Sequence, residues 1–390
     1  MAKILERIIK PIIRNGAMRF YYRIRNNEEK SVYFSSFSGK QYSDNPRAIS
    51  ELLHKKDSCI KLIWKAEKNI WHTLPSYVIP VLPGSLEDIR LQAQSDVWVM
   101  NAGYSKKDGY YKGSKIFYIQ TWHGDRGFKK IGWAAFKAMG EHYHGVHNLP
   151  DLTDCNLYLS ASNYGDRRAH EGFLYSGEIL KCGLPRNDKL VHIENYEKEI
   201  ESVKLTLGIN EKSKILLYAP TFRDFERGNE KCFVNIDEVL KILDIQGEDW
   251  ICLIRKHSSS HGINYVKGNG IVDVSNYPDM SDLLMIADML ITDYSSCAGD
   301  FVLKNKPCIL AQFDYDSYCK ESRQLWIDPV RAGFLVAYSQ EQLNAILEKI
   351  GQMNIGLINK NILSAYGTVE TGKSTSIVVD RILNWIKEVG

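Results

Sequence analysis

Short apolar runs recur along this chain at intervals filled by amphipathic segments, and most stop abruptly at polar or glycine-containing residues. Residues 32–34, 60–64, 77–82, 96–101, 116–121 and 157–160 form a first set. Residues 214–219, 250–254, 289–292 and 307–311 form a second. Runs this short and this apolar are strands buried on both faces, and strands alternating with helices predict parallel α/β sheets. Helices are expected at 47–54, 86–94, 165–173, 237–243, 282–287 and 376–389, with Asp44 or Asn45 capping the first and Ser85 the second. The turn-rich Cys182-Gly183-Leu184-Pro185-Arg186-Asn187-Asp188 closes the first set, and a charged segment at 197–204 leads into the second. A chain of 390 residues is long enough for two cores.

The stretch around which the first set is organised is 116–132, IFYIQTWHGDRGFKKIG. It opens as a buried strand and breaks into Thr121-Trp122-His123-Gly124. Open α/β sheets bind ligands in the crevice outside the carboxyl ends of their strands. A histidine followed by glycine at such an end is therefore placed for chemistry; standing alone, it reads as a turn residue.

Three strand ends of the second set share a theme of anion binding. Thr221-Phe222-Arg223 offers a hydroxyl and a guanidinium, and Arg255-Lys256-His257 two cations and an imidazole. Asp293-Tyr294-Ser295-Ser296 sits where a strand turns into a helix, so backbone N–H groups are free to meet phosphate. Each alone reads as an ordinary cap or surface group. Together they point to a pyrophosphate-bearing substrate.

Other features narrow the class. Net charge is only +3, which argues against a nucleic-acid partner. No run of 18 or more apolar residues predicts a membrane span, and no signal-peptide pattern opens the chain. Eight scattered cysteines without a C-x-x-C pair predict reduced, mostly buried thiols in the cytosol. Residues 1–25 carry seven Lys/Arg against Glu6, interleaved with isoleucines and aromatics. Such a segment either meets an anionic membrane surface or packs on its own domain, and Pro11 and Gly16 argue against one long helix. His142, His144 and His147 lie close together, but a polar loop explains them better than zinc. No acidic motif calls for magnesium. Gly367-Thr368-Val369-Glu370-Thr371-Gly372-Lys373-Ser374 satisfies the P-loop pattern, yet no buried strand precedes it, so it reads as a loop in which Ser374 or Thr375 caps the last helix.

Five motifs, in order, resemble those of the CDP-glycerol glycerophosphotransferase family. They are Thr121-Trp122-His123-Gly124 with Lys129-Lys130-Ile131-Gly132; Gly183-Leu184-Pro185-Arg186-Asn187-Asp188; Tyr218-Ala219-Pro220-Thr221-Phe222-Arg223; Arg255-Lys256-His257; and Thr292-Asp293-Tyr294-Ser295-Ser296. Ser43-Asp44-Asn45-Pro46 resembles its N-terminal signature. The resemblance implies a GT-B architecture: two Rossmann-like domains, 31–195 for the acceptor and 196–375 for the donor, facing a central cleft. A basic segment at 1–30 precedes them, and a helix at 376–390 crosses back to the first domain. It implies transfer of a polyol phosphate from a CDP-activated donor to a hydroxyl of a lipid-linked saccharide, with release of CMP, by a cytoplasmic protein peripheral on the bacterial membrane. Two departures, Asp328-Pro329-Val330-Arg331-Ala332-Gly333 in place of Pro-Gly-Pro and Ser258 after His257, leave the polyol open.

In this reading His123 is the general base and His257, Arg223 and the Ser295/Ser296 amides neutralise the breaking pyrophosphate. Thr221 and Arg255 complete the donor site. Asp293 orients His257, holds a donor hydroxyl, or simply caps a helix. Lys129 and Lys130 meet acceptor phosphates or only solvent. The rivals are ribitol phosphate transfer, a sugar-transferring GT-B enzyme and a non-catalytic nucleotide-binding protein.

Overall fold

The computed structural model describes residues 2–25, 28–103, 108–140, 149, 151–221, 234–245, 247–256, 270–321 and 324–389. Seven strands make the first sheet: β1 (Ser31–Ser35), β2 (Lys61–Lys65), β3 (Val78–Val81), β4 (Val97–Met100), β5 (Phe117–Gln120), β6 (Leu157–Ser160) and β7 (Glu178–Lys181). Six make the second: β8 (Lys214–Ala219), β9 (Trp250–Ile254), β10 (Ile271–Asp273), β11 (Met289–Thr292), β12 (Cys308–Ala311) and β13 (Leu335–Ala337). Their orders are β3-β2-β1-β4-β5-β6-β7 and β10-β9-β8-β11-β12-β13, and neighbouring strands pair parallel throughout.

Alternation along each strand sends successive side chains to opposite faces. Val32 and Phe34 join one buried cluster, while Tyr33 between them joins another with Trp98 and Tyr118. The second sheet likewise has a cluster on each face. In each sheet the order reverses beside the first strand, between β1 and β4 and between β8 and β11. Loops leaving adjacent strands there diverge and open a crevice at their carboxyl ends.

The helix Ser374–Val389 returns to the first sheet, where Val378, Val379 and Ile382 are fully buried among its side chains. Each such side chain contributes about 1.5–3 kcal/mol of burial energy. The P-loop-like stretch leading into this helix is a strap. Val369 N donates to Ala161 O at 2.9 Å. The Asp188 carboxylate accepts from Ser374 N at 3.0 Å and Thr375 N at 2.7 Å. A carboxylate therefore occupies the helix start that a bound phosphate would take. Asp188, and not the Ser374 or Thr375 side chain, satisfies the helix's first N–H groups.

The structure corrects several expectations. Residues 2–23 form one helix, α1 (Ala2–Arg23), that continues through Pro11 and Gly16. Packing overrides propensity: Met18 is fully buried in the first sheet's core, and α1 lies along α3 (Leu86–Gln94). Its other side leaves Ile9, Ile12, Ile13 and Phe20 exposed. The helix expected at 47–54 is α2 (Asp44–Lys56), with Ser43 at its cap; the Asn45 side chain turns instead to distant segments. The helix expected at 165–173 is a short α segment, Asn163–Arg167, followed by a π turn, Arg168–Gly172. β7, β10 and β13 extend the sheets beyond the expected strands. His142, His144 and His147 lie outside the described residues. Among those residues, five of the seven cysteines are buried, no group of His, Cys, Asp and Glu is arranged to hold a metal ion, and no helix is long and apolar enough to cross a membrane.

Candidate active site

A cavity of about 560 Å³ lies between the carboxyl edges of the two sheets. Trp122, His123 and Lys129 line it from the first sheet's loops, and Thr221, Arg255, Lys256, Ser295 and Ser296 from the second's. Two glycines make the closure possible. A β-carbon on Gly124 would stand 2.8 Å from Ser296 Oγ, and one on Gly127 3.1 Å from Ser296 Cβ.

His123 follows β5, and the loops of β1 and β4 meet it. Its Nδ1 lies 2.7 Å from the backbone carbonyl of Asn101, at the end of β4. A carbonyl only accepts, so the neutral ring carries its proton on Nδ1 and keeps the Nε2 lone pair for another partner. The ring stacks on Trp122 at 4.2 Å between centroids and packs against Phe37, beyond β1, at 5.2 Å. Burial between these rings lowers its pKa from 6.5, outweighing the Asn101 carbonyl and Asp44, while Arg186 and Arg168 push the same way as burial.

The opposing wall is cationic. Arg255, at the end of β9, has a buried terminal nitrogen without a hydrogen-bond partner among the described residues, and burial lowers its pKa despite nearby acids. A buried guanidinium with an unmet donor is suited to an anion. Lys256 stands 3.3 Å from Asp273. Ser295 and Ser296 are half-buried at the start of the short helix Cys297–Phe301. Asp293 accepts Thr221 N at 2.9 and 3.0 Å and Tyr294 N at 2.5 Å. It thereby ties together the loops of β8 and β11, the two strands at the switch point. Arg223 and His257 lie outside the described residues.

The two lysines separate. Lys129 pairs with Leu325 in an antiparallel bridge, lines the cavity and sits 5.7 Å over the Tyr318 ring. Lys130 donates to Gln324 Oε1 at 3.0 Å and does not line the cavity. Neighbouring residues of an extended segment point to opposite sides, which explains the split.

Several contacts around the site were not read from the sequence. Arg168, placed inward by the π turn, donates to the carbonyls of Gly124, Asp125 and Gly127 in the loop after His123. Behind that loop a buried ionic cluster joins the two sheets' segments. Arg126 donates to Asp300 at 2.7 Å and Glu370 at 2.9 Å; Arg186 meets Asp300 at 2.8 Å and Asp44 at 3.1 Å. The motifs at 43–46 and 183–188 thus brace the cavity from behind. An isolated Asp or Arg carries no such signal until its partner, more than a hundred residues away, is known.

Comparison with known proteins places this geometry. The family model described as CDP-glycerol:poly(glycerophosphate) glycerophosphotransferase matches residues 17–384. A teichoic acid glycerol-phosphate transferase of Staphylococcus aureus is 32% identical over 334 residues, covering 83% of this chain and 85% of that protein. A teichoic acid poly(glycerol phosphate) polymerase of Staphylococcus epidermidis is 28% identical over 418 residues; the match covers 98% of this chain but only 55% of the polymerase. The structure of the wall teichoic acid polymerase TagF, in a variant soaked with CDPG, superposes with a TM-score of 0.81 at 25% identity, covering 99% and 98% of the two chains. The architecture is GT-B-like, as the resemblance implied.

Proposed function

Because the chain belongs to the CDP-glycerol:poly(glycerophosphate) glycerophosphotransferase family, we propose that it transfers glycerol phosphate from CDP-glycerol to a hydroxyl of a teichoic-acid-type acceptor and releases CMP. The observation that carries this reading is the pairing, across one cavity, of a tautomer-fixed histidine and a cationic wall with an unmet buried donor. The acceptor hydroxyl attacks the phosphorus bound to glycerol and its proton passes to His123 Nε2. The new O–P bond replaces the bond to the bridging oxygen, which leaves on CMP. Arg255 and Lys256, with the Ser295 and Ser296 amides, face the charge that grows on that leaving phosphate. Arg223 and His257, which follow β8 and β9 in the sequence, are assigned to the donor phosphates from the motifs that carry them. Thr221 and Asp293 shape it. Lys129 is the better placed of the two lysines for an acceptor phosphate.

In this reading the unit 31–195 takes the acceptor, 196–375 takes the donor, and the helix Ser374–Val389 crosses back to the first. The exposed isoleucines and Phe20 of α1, with Lys10, Arg19 and Arg23 beside them, support contact with an anionic membrane, where a lipid-linked acceptor would be found. We place the protein on the inner face of the cell membrane.

The test is incubation of the purified protein with CDP-glycerol or CDP-ribitol and a lipid-linked or soluble saccharide acceptor, read by chromatography and mass spectrometry. CMP and an acceptor heavier by one glycerol phosphate are expected. A ladder of such additions marks a polymerase, and turnover with CDP-ribitol alone exchanges the polyol. No CMP from either donor would defeat the proposal.

A further inference from the structure

The His123 ring is aimed by a turn that is itself held from outside the sheet. Trp122, the residue before it, has φ of +49°, a left-handed conformation that bulky residues seldom adopt. Its carbonyl receives a hydrogen bond at 3.0 Å from Nδ2 of Asn45, in the first turn of α2. The same amide lies 3.4 Å from Thr121 O, and its Oδ1 accepts Arg186 N at 3.1 Å. Asn45 is fully buried, so these bonds have no water to replace them. The Asn101 carbonyl that receives His123 Nδ1 is held in turn: the Asn101 side chain accepts Phe37 N at 2.7 Å and donates to Ser36 Oγ at 3.2 Å.

We propose that Asn45 is a positioning residue for His123. Its carboxamide holds the Trp122 peptide in the left-handed turn from which the imidazole reaches the Asn101 carbonyl through Nδ1 and keeps Nε2 free. The proposal rests on the reading of His123 as the base. Asn45 does not line the cavity, so its effect falls on the orientation of the base and not on donor binding. Through Arg186, which also meets Asp300, the same amide links the aim of His123 to the contact between the two sheets' segments.

The test compares wild type with Asn45→Ala, Asn45→Ser and His123→Ala in CMP-release kinetics. The tautomer of His123 is read alongside by nitrogen-15 NMR of histidine-labelled protein, its signals assigned by their loss in His123→Ala. Wild type is expected to hold the Nδ1–H tautomer. Both Asn45 variants are expected to lose kcat by on the order of a hundredfold, with donor KM within about threefold of wild type and the tautomer mixed. With His123→Ala inactive, Asn45 variants that turn over within about twofold of wild type, or that lose kcat with the Nδ1–H tautomer intact, would overturn the proposal. If neither variant folds, the wild-type spectrum decides: an Nε2–H ring would overturn it, and an Nδ1–H ring would support it. Wild-type turnover by His123→Ala would overturn only the reading of His123 as base, because the tautomer in the Asn45 variants would still report whether Asn45 aims the ring.

Discussion

Asp300→Ala would remove the anion at the centre of the cluster that joins the two sheets' segments. Asp300 is only 3% exposed. Its Oδ1 accepts from Arg126 at 2.7 Å and Asn187 at 3.0 Å, and its Oδ2 from Arg186 at 2.8 Å. Without it, Arg186 keeps only Asp44 as a close carboxylate, and Arg126 keeps Glu370, the Gly299 carbonyl and Asp125 at 4.0 Å, while burial already pushes the Glu370 carboxyl toward its neutral form. Breaking a buried pair from one side costs about 3–5 kcal/mol. Unfolding entropy near 2.1 cal/mol/K per residue gives roughly 0.8 kcal/mol/K for a chain of 390 residues, so Tm should fall by about 4–6 °C. Differential scanning calorimetry at pH 7 measures it. Lys56→Ala is the control, since the Lys56–Asp380 pair is 33% and 56% exposed and should shift Tm by about 1 °C or less. Burial alone would raise the Asp300 pKa, but Arg186 and Arg126 hold it below the ordinary carboxylate value. A depressed folded pKa means stability that is present above the unfolded value, about 3.9, and lost as pH falls through the folded one. The gap between wild type and variant should therefore close under acid. A Tm shift no larger than that of Lys56→Ala at pH 7 would refute the reasoning.

Three further outcomes follow from the site. Burial lowers the His123 pKa, so the base stays neutral to more acid pH than a free histidine, and the acidic limb of kcat/KM should fall below pH 6.5. A limb clearly above that value would count against His123 as the titrating base. Arg255→Ala should raise donor KM and lower kcat/KM by roughly tenfold to a hundredfold through loss of a charged hydrogen bond, checked by CMP-release kinetics; unchanged kinetics would remove Arg255 from the donor site. Replacing Ile12 and Ile13 of α1 by glutamate should abolish co-sedimentation with anionic lipid vesicles while leaving turnover of a soluble acceptor intact, and undiminished sedimentation would separate α1 from membrane contact.

The interior strands were readable because a strand buried on both faces must be apolar along its whole length. β7, β10 and β13 are short, border the sheets and keep partly exposed residues, so no such run marks them. The helix Gln340–Lys349 did leave a signal, the 3–4 spacing of Leu343, Leu347 and Ile350. α1 misled because Pro11 weighs against a helix locally, whereas burial of Met18 and the packing on α3 act only after folding.

Local order along the chain determined the strands, the ends at which loops emerge and the residue types those loops carry: His123, Thr221, Arg255, Ser295 and Ser296. Strand periodicity and loop chemistry are short-range properties, so they can be read in a single line of sequence. Tertiary structure alone decided which groups meet. Asn45 reaches Trp122 across 77 positions, Arg126 reaches Asp300 across 174, and Asp188 takes the helix start of the P-loop-like stretch across 186. Buried polar groups must find partners wherever the packed sheets bring them, and that choice is made in space after the strands have assembled.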